Sequence, residues 1–507
     1  MMLTWRIRYN VAESFLSSFC VLKRCSSSVV SDVSGNKYGY KSGKSDSFDK
    51  RDKTLEGSFH IGMVNLPAHL KDSLELFYKG KPRKQITNDG LRLFRHLRNR
   101  GRPSHTTWTK YKSQMKGKKV ERSDVKAFSL NEAVKAGLVD EELVDEEEIK
   151  AESPTQGERM KRPQLAEYSM VRYGSRETNA YVASQLPSVY GGTLRALSEI
   201  KKRLPGYEPR TILDFGSGSG MSVWAANELW GNSINEYQCV DVSEDMNNTA
   251  EFLLRGSSDI NTPLKIPNVY FKRFLPLSNQ VKYDIVIASH TLTEMPFRSQ
   301  RIQAIKSLWQ KTNDFLVIVE PGNNEGFDTT LQARQFITQE PNENDDEYLE
   351  NFENLFDDIY EDQDESGHIF APCPHEMVCA RTYVETRDHP CNFVQKVQLS
   401  FSQRNLKSFK KYGYFQERFS FLILRKGENT DRGGWTRVLQ PIKNRHRHVI
   451  CELCCSNGNI EKHIITKGKD PYIYKAARHC LKWGDIMPLS EAKRPMNIRK
   501  AIPPGEE

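Results

Sequence analysis

Between Thr211 and Gly322 the chain alternates five short apolar runs with longer polar or amphipathic stretches, and this alternation leaves little choice of architecture. The runs are Thr211 to Phe215 (TILDF), Tyr237 to Val240 (YQCV), Val269 to Phe274, Tyr283 to Ser289 (YDIVIAS) and Phe315 to Val319 (FLVIV). Short apolar strands separated by helix-length segments predict an α/β fold, a doubly wound parallel sheet with helices on its faces. A further run, Phe419 to Arg425 (FSFLILR), is placed to return to the edge of that sheet. Upstream, Pro67 to Tyr78 and Asn88 to Arg100 predict two helices; on the second, Leu91, Phe94 and Leu97 share one face, with Arg92, Arg95 and Arg98 near the other. Thr178 to Gln185 and Tyr190 to Lys202 predict two more helices, parted by Leu186 and Pro187. Ser129 and Glu132 form a capping box for a helix running into the acidic stretch Asp140 to Glu152.

Gly216, Gly218 and Gly220 follow the first strand directly and open a helix, Met221 to Trp230. Three residues without side chains at a helix start let a ligand approach the backbone. Asp241 ends the second strand, where its carboxylate can accept hydrogen bonds from both hydroxyls of a ribose. Dinucleotide sites favour G-x-G-x-x-G, which is absent. The pattern D-x-G-x-G-x-G resembles instead that of class I methyltransferases. The resemblance implies a Rossmann-like sheet and S-adenosylmethionine as cofactor, held by Asp214, Gly216, Gly218, Gly220 and Asp241.

Catalysis is less well provided for. Amino-methyltransferases acting on bases carry an Asn/Asp-Pro-Pro-aromatic motif after the fourth strand, which positions the nucleophilic nitrogen. Here that strand runs into Ser289 to Met295 (SHTLTEM), and the nearby Pro296 and Phe297 lack the second proline and the preceding Asn or Asp. The Pro-Cys pair of cytosine C5 enzymes is absent too. His290 and Glu294 are available as bases, but a lone histidine beside a strand end is more often structural. No catalytic residue is assigned.

Seven of the ten cysteines fall between Cys373 and Cys480. Cys373, Cys379 and Cys391 are separated by five and eleven residues, and Cys454 follows after 62. In a reducing compartment clustered thiols argue for metal ligation over disulfides. Four thiolates suit zinc or a [4Fe–4S] cluster, and the spacing matches neither the paired knuckles of structural zinc sites nor a ferredoxin run. Cys454 is the preferred fourth ligand because it precedes a Cys-Ser-Asn-Gly turn between candidate strands His448 to Leu453 and Ile460 to Thr466, a hairpin tip able to point a thiolate back. Cys451 and Cys455 are alternatives, and His375 would complete a Cys3His zinc site. Cys239 reads as core, and Cys480 as helical without a metal-spaced neighbour.

The net charge of +9 hides a segregation. Lys79 to Arg122 holds 15 basic residues against Asp89 and Glu121, whereas Glu340 to Ser366 holds 13 acids and no Lys or Arg, leaving +22 on the rest. Such a surplus suits a polyanion, nucleic acid or an anionic membrane surface, and the interleaved His105, Trp108 and Tyr111 favour RNA. Met1 to Gly35 carries Arg6, Arg8, Lys23 and Arg24, seven serines after Phe15 and one acid before Asp32, the composition of a mitochondrial transit peptide. No window approaches the roughly 18 apolar residues of a membrane span.

Five stretches, in order, carry a more specific resemblance: Leu213 to Gly220 (LDFGSGSG), Leu316 to Gly322 (LVIVEPG), Ala371 to His375 (APCPH), Cys391 to Gln395 (CNFVQ) and the C-terminal Ala476 to Asp485. Together they resemble the mitochondrial ribosomal small-subunit assembly methyltransferase-like proteins, over roughly Met160 to Pro488. The resemblance implies a monomeric mitochondrial matrix protein that binds the maturing small ribosomal subunit, its rRNA and its proteins. It implies a [4Fe–4S] cluster on Cys373, Cys379, Cys391 and Cys454, which tips the metal choice away from zinc. An assembly factor retaining a cofactor pocket is favoured over the alternative, an active rRNA methyltransferase. The expected organisation is a transit peptide (1–35), a basic helical region (36–155), an S-adenosylmethionine-binding domain (156–339), an acidic insertion (340–366), a cysteine region with a returning strand and hairpin (367–488) and a tail (489–507).

Overall fold

The computed structural model describes residues 57–99, 127–128, 170–338 apart from 277 and 279, 366–382, 389–404, 406, 412–429 and 435–487. The chain divides into two compact units, Met1–Lys37 and Tyr38–Glu507, and all described residues belong to the second. The transit peptide, the basic residues from Arg100 to Arg122, the capping box at Ser129, all of the acidic insertion but Ser366, and the tail lie outside the described residues.

Among the described residues the main sheet has nine strands. Seven form its frame: β1 (Thr211–Phe215), β2 (Glu236–Val240), β3 (Val269–Lys272), β4 (Tyr283–Ser289), β5 (Thr312–Pro321), β6 (Phe393–Gln398) and β7 (Tyr414–Lys426). Their order is 3-2-1-4-5-7-6, and β7 alone runs antiparallel to the other six. This is the class I methyltransferase arrangement. The last expected strand thus lies inside the sheet, between β5 and β6. Two short strands extend the frame: Met63–Val64 beside β6, and Gly367–Ala371 on β7. Central strands such as β4 and β5 are buried on both faces, which is why their sequences read as apolar runs without alternation.

One helix, Ser175–Arg203, crosses this sheet without a break at Pro187, contrary to the expected pair. Proline lacks an N–H, so the carbonyl four residues earlier, that of Ala183, loses its helical partner. Ser402 N–H occupies it at 3.0 Å. A neighbouring segment thereby satisfies the acceptor that proline leaves open, and the helix continues. Gly191 and Gly192 then let its backbone close on the sheet: a Cβ on Gly191 would lie 2.3 Å from Val397 Cγ1.

The helix Arg83–Asn99 packs on that long helix. Its buried side is Ile86, Leu91 and Leu93, shifted from the expected stripe, with Asp89 buried beside them. Arg176 grips Asp89 with two hydrogen bonds (2.6 and 2.7 Å), and Arg92 lies 3.7 Å from it. Arg92 of the basic run thus shares the buried Asp89 with Arg176.

A second, five-stranded sheet holds the hairpin His448–Cys454 and Ile460–Thr466, with Thr436–Val438, Lys443–Asn444 and Ile486–Met487. The helix Pro471–His479 covers it, with proline at its first position and Asp470 capping it through Ile473 N–H. Among the described residues no helix is long and apolar enough to cross a membrane.

Candidate cofactor pocket and cysteine cluster

The glycine loop hangs from the carboxyl end of β1. Gly216, Gly218 and Gly220 all have positive φ (68°, 50° and 79°), the left-handed region that side chains disfavour. A Cβ on Gly216 would lie 2.2 Å from Thr291 Cγ2, whereas one on Gly218 would meet nothing closer than 4.0 Å. The first glycine is thus required by packing, and the second faces open space where a ligand can approach. Asp241 spans the loop: Oδ2 accepts from Gly218 N–H and Oδ1 from Ser243 N–H, both at 2.8 Å. Asn247 Nδ2 donates to the Asp241 carbonyl at 2.9 Å.

Four carboxyl groups gather around Tyr181, and one of them, Asp241, is bonded to this loop. Tyr181, on the long helix, has its phenol pushed up by burial and by Glu294, Asp241, Asp214 and Glu320 around it. Burial pushes Asp214 up to about 7, with Ser222 drawing it back and Asp241 adding to the rise. Neither Asp214 oxygen makes a hydrogen bond of ordinary geometry. Glu320 is likewise raised to about 7 by burial, although it accepts from Leu292 N–H and the Thr293 hydroxyl. The Ser219 hydroxyl is buried without a partner. An open backbone cradle walled by carboxyls and an unused hydroxyl fits a cationic ligand that also brings hydroxyl groups.

The segment after β4 serves the loop. Thr291 Oγ1 lies 3.0 Å from the Phe215 carbonyl and 3.3 Å from that of Gly216. His290 sits at φ 55°, with its N–H bonded to the Val319 carbonyl at 2.7 Å. Burial, with Arg98 adding, depresses its imidazole to about 4, so it is neutral at physiological pH and a weak base. His290 and Glu294 stand out in the sequence as available bases, whereas Thr291, Tyr181 and Glu320 do not. Glu320 stands in the EPG stretch, where its chemistry was legible; the other two need the fold.

Cys373, Cys379, Cys391 and Cys454 lie near enough to act on one another electrostatically. The Cys391 thiol is raised by burial and by Cys373 and Cys379 beside it; Cys454 is raised by burial and by Cys373, Cys379, Cys391 and Cys455. His375 Nε2 lies 3.4 Å from Cys454 Sγ, and its Nδ1 lies 3.1 Å from the Met377 carbonyl. Strand alternation separates the candidates for the fourth position. Cys451 points with Val449 and Leu453 into the core of the small sheet, where burial pushes its thiol up to about 12, while Cys454 faces the other three cysteines. Cys455 turns to a buried group with Glu461 and His463, whose donor atoms all lie within 4.8 Å of one another. There His463 Nε2 and Glu461 Oε2 pair at 2.7 Å. Cys239 is buried in β2, and Cys480 caps the last helix.

Side-chain hydrogen bonds to the backbone pin three of the four cysteine-bearing segments. The Ser420 hydroxyl donates to the Cys391 carbonyl (2.8 Å), Thr382 to that of Cys379 (2.7 Å), and Arg437 Nε to that of Pro372 (2.9 Å). Burial and mutual repulsion hold these thiols in the neutral form, so gathering them as thiolates requires a cationic centre to balance their charge. The donor chemistry fits a metal centre.

The sequence profile described as "Mitochondrial small ribosomal subunit Rsm22" matches residues 175–488. The chain belongs to the Rsm22 family. Within 313 aligned residues it is 36% identical to the human protein "Ribosome assembly protein METTL17, mitochondrial", covering 61% of this chain and 62% of that one. It is 23% identical over 429 residues to "Ribosome assembly protein RSM22, mitochondrial" of Saccharomyces cerevisiae, covering 61% and 67%. The chain thus spans a little under two thirds of the human relative. A solved S-adenosylmethionine-dependent methyltransferase from Aquifex aeolicus aligns with 50% of this chain and 100% of its own at 11% identity, with a TM-score of 0.26. The strand order, not that match, carries the fold. The Rsm22 region begins at the first residue of the long helix and takes in the glycine loop, the four cysteines Cys373, Cys379, Cys391 and Cys454, the seven frame strands of the main sheet and the second sheet.

Proposed function

We propose that this Rsm22-family chain is a mitochondrial matrix assembly factor of the small ribosomal subunit. It binds immature rRNA as a monomer, carries a [4Fe–4S] cluster on Cys373, Cys379, Cys391 and Cys454, and retains an S-adenosylmethionine pocket formed by Asp214, Gly216, Gly218, Gly220 and Asp241. Family membership, with relatives named as mitochondrial ribosome assembly proteins, supports the assembly role. The observation that supports the cluster is the electrostatic influence of Cys373, Cys379 and Cys391 on Cys454, 62 residues further along the chain. When bound, the cluster supplies a covalent cross-link between the main sheet and the second sheet. Zinc on the same thiols is the alternative.

Methyl transfer is disfavoured. The residues after β4 that would position a target nitrogen instead tie down the glycine loop through Thr291, and His290 is a weak base. S-adenosylmethionine would be a structural ligand of the loop, with Asp241 available to accept from ribose hydroxyls and the buried carboxyls available to balance a positive charge.

The test is sedimentation of tagged full-length protein from mitochondrial lysate, with metal analysis of anaerobically purified protein. Co-sedimentation with small-subunit precursors and a broad visible absorption with matching iron are expected. A colourless protein containing zinc replaces the cluster by the alternative. Absence from every small-subunit fraction rejects the assembly role. Asp241→Ala abolishing a defined rRNA methyl mark while assembly proceeds would establish the enzyme instead.

A further inference from the structure

A cleft of about 670 Å³ opens at the carboxyl end of β5, and its lining shares no residue with the glycine loop. Its cations are Arg98 and Arg418, with the His389 imidazole beside them as a hydrogen-bonding group, and no Asp or Glu lines it. Amides surround the cations, among them Asn323 and Asn392, and Trp483 supplies an aromatic wall. The walls are fixed. Gly322 N–H donates to the Arg418 carbonyl at 2.9 Å, and Asn392 Nδ2 donates to the Gly322 carbonyl at 2.7 Å. A Cβ on Gly322 would lie 2.6 Å from the Arg418 carbonyl carbon, so only glycine permits this approach. Arg98 is held by Glu417 and stands 4.5 Å from the centre of the Phe94 ring, which leaves the exposed Arg418 as the adaptable cation. The indole N–H of Trp483 is buried without a partner.

We infer that this cleft receives a nucleotide of single-stranded RNA, its phosphate at Arg418 and His389, its base against Trp483 and among the amides. The volume lies within the range of small-ligand pockets, about 300–1,000 Å³. Cations draw a phosphate, amides read base edges, and an indole offers a stacking face. An acidic peptide would use the cations and leave the amides and the indole idle. The inference rests on the rRNA-binding reading and gives it a place. It also connects that place to the cysteines: Pro390 and Asn392 line the cleft on either side of Cys391, so the thiol cluster and the cleft share one segment.

The experiment uses purified full-length protein and an oligouridylate of about ten nucleotides carrying one 4-thiouridine, a length within the range of single-strand sites. Crosslinks at Trp483 or between His389 and Asn392 are expected. Arg418→Gln, a surface change, weakens binding about fivefold to tenfold and lowers the log–log salt slope by about 0.7, the loss of one single-strand phosphate contact. Trp483→Phe keeps a stacking face and retains most of the affinity. RNA bound with unchanged affinity by Arg418→Gln and crosslinked elsewhere overturns the cleft but leaves rRNA binding standing. Wild-type protein that neither binds RNA nor sediments with small-subunit precursors removes the underlying reading. Octaglutamate displacing the RNA at equal concentration reassigns the cleft to a protein partner and overturns the inference.

Discussion

Arg437 and Glu199 meet in a two-pronged ion pair with almost no solvent exposure, 1% and 0%. The guanidinium donates to both carboxylate oxygens, at 2.7 and 3.0 Å. It also donates to the carbonyls of Gly484 (2.7 Å) and Pro372 (2.9 Å). Arg437 lies opposite Cys454 in the second sheet, and Pro372 precedes Cys373. One buried cation therefore joins the long helix, the second sheet and two of the four cysteine-bearing segments.

Removing one partner of such a pair leaves an uncompensated buried charge. Glu199→Gln or Arg437→Met should each cost roughly 3–5 kcal/mol, read from urea unfolding. The double replacement Glu199→Leu with Arg437→Met should recover part of that loss, because Arg195 is then the one charge left without its carboxylate and it still donates to the Gly484 carbonyl. Equal loss in single and double variants would show that the carbonyl contacts, not the pair, hold the junction.

The same pair sets an acid limit. Burial alone would raise Glu199, but Arg437 and Arg195 pull it down to about 2. A depressed carboxyl contributes stability that is complete above its unfolded value of about 4.3 and disappears as pH falls towards about 2. The urea midpoint of the wild type should drop across that window, and the drop should be shallower in Glu199→Gln. A parallel drop would remove Glu199 as the cause.

Asp214 carries the opposite sign. With its carboxyl raised to about 7, ionisation opposes folding increasingly as pH rises from about 3.9. Asp214→Asn should raise the melting temperature at pH 8 and leave it nearly unchanged at pH 4. S-adenosylmethionine should stabilise the wild type at pH 8 by about 2.7 kcal/mol at a hundredfold excess over its Kd. The variant should respond less. A variant no more stable at pH 8 than at pH 4 would mean that the buried carboxyl is not strained.

The parallel strands were legible because burial on both faces writes continuous apolar runs, and Tyr283–Ser289 appears with the bounds its sequence suggests; so does Ile460–Thr466, an antiparallel hairpin strand with alternating burial. The long helix was not, because Ser402, 215 residues beyond Pro187, supplies the contact that keeps it whole. Spacing placed Cys454 among three candidates, and only the alternation of the folded strand turns Cys451 inward and Cys454 towards Cys391. The Arg437–Glu199 pair had no signal, since a lone Arg and a lone Glu 238 positions apart look like surface residues.

Gly191 tests how tightly that helix is seated. Valine there would drive its side chain into Val397 on β6. Overpacking typically costs 1–3 kcal/mol, and a backbone this close to a strand should put Gly191→Val at or above about 3 kcal/mol. Val397→Ala should restore part of the loss in the double variant, and strict additivity of the two changes would deny the contact.

The cysteines separate metal binding from packing. Cys391→Ser should take anaerobically purified protein from about four irons per chain to near zero and bleach its visible absorption, since the cluster needs all four thiolates. Cys451→Ser should keep the iron and lose about 1–3 kcal/mol, because a hydroxyl replaces a thiol in an apolar core. Cys480→Ser should change neither. Iron lost in Cys451→Ser and kept in Cys454→Ser would reverse the assignment that strand alternation makes. Equal iron in all of these variants would place the metal away from these thiols altogether.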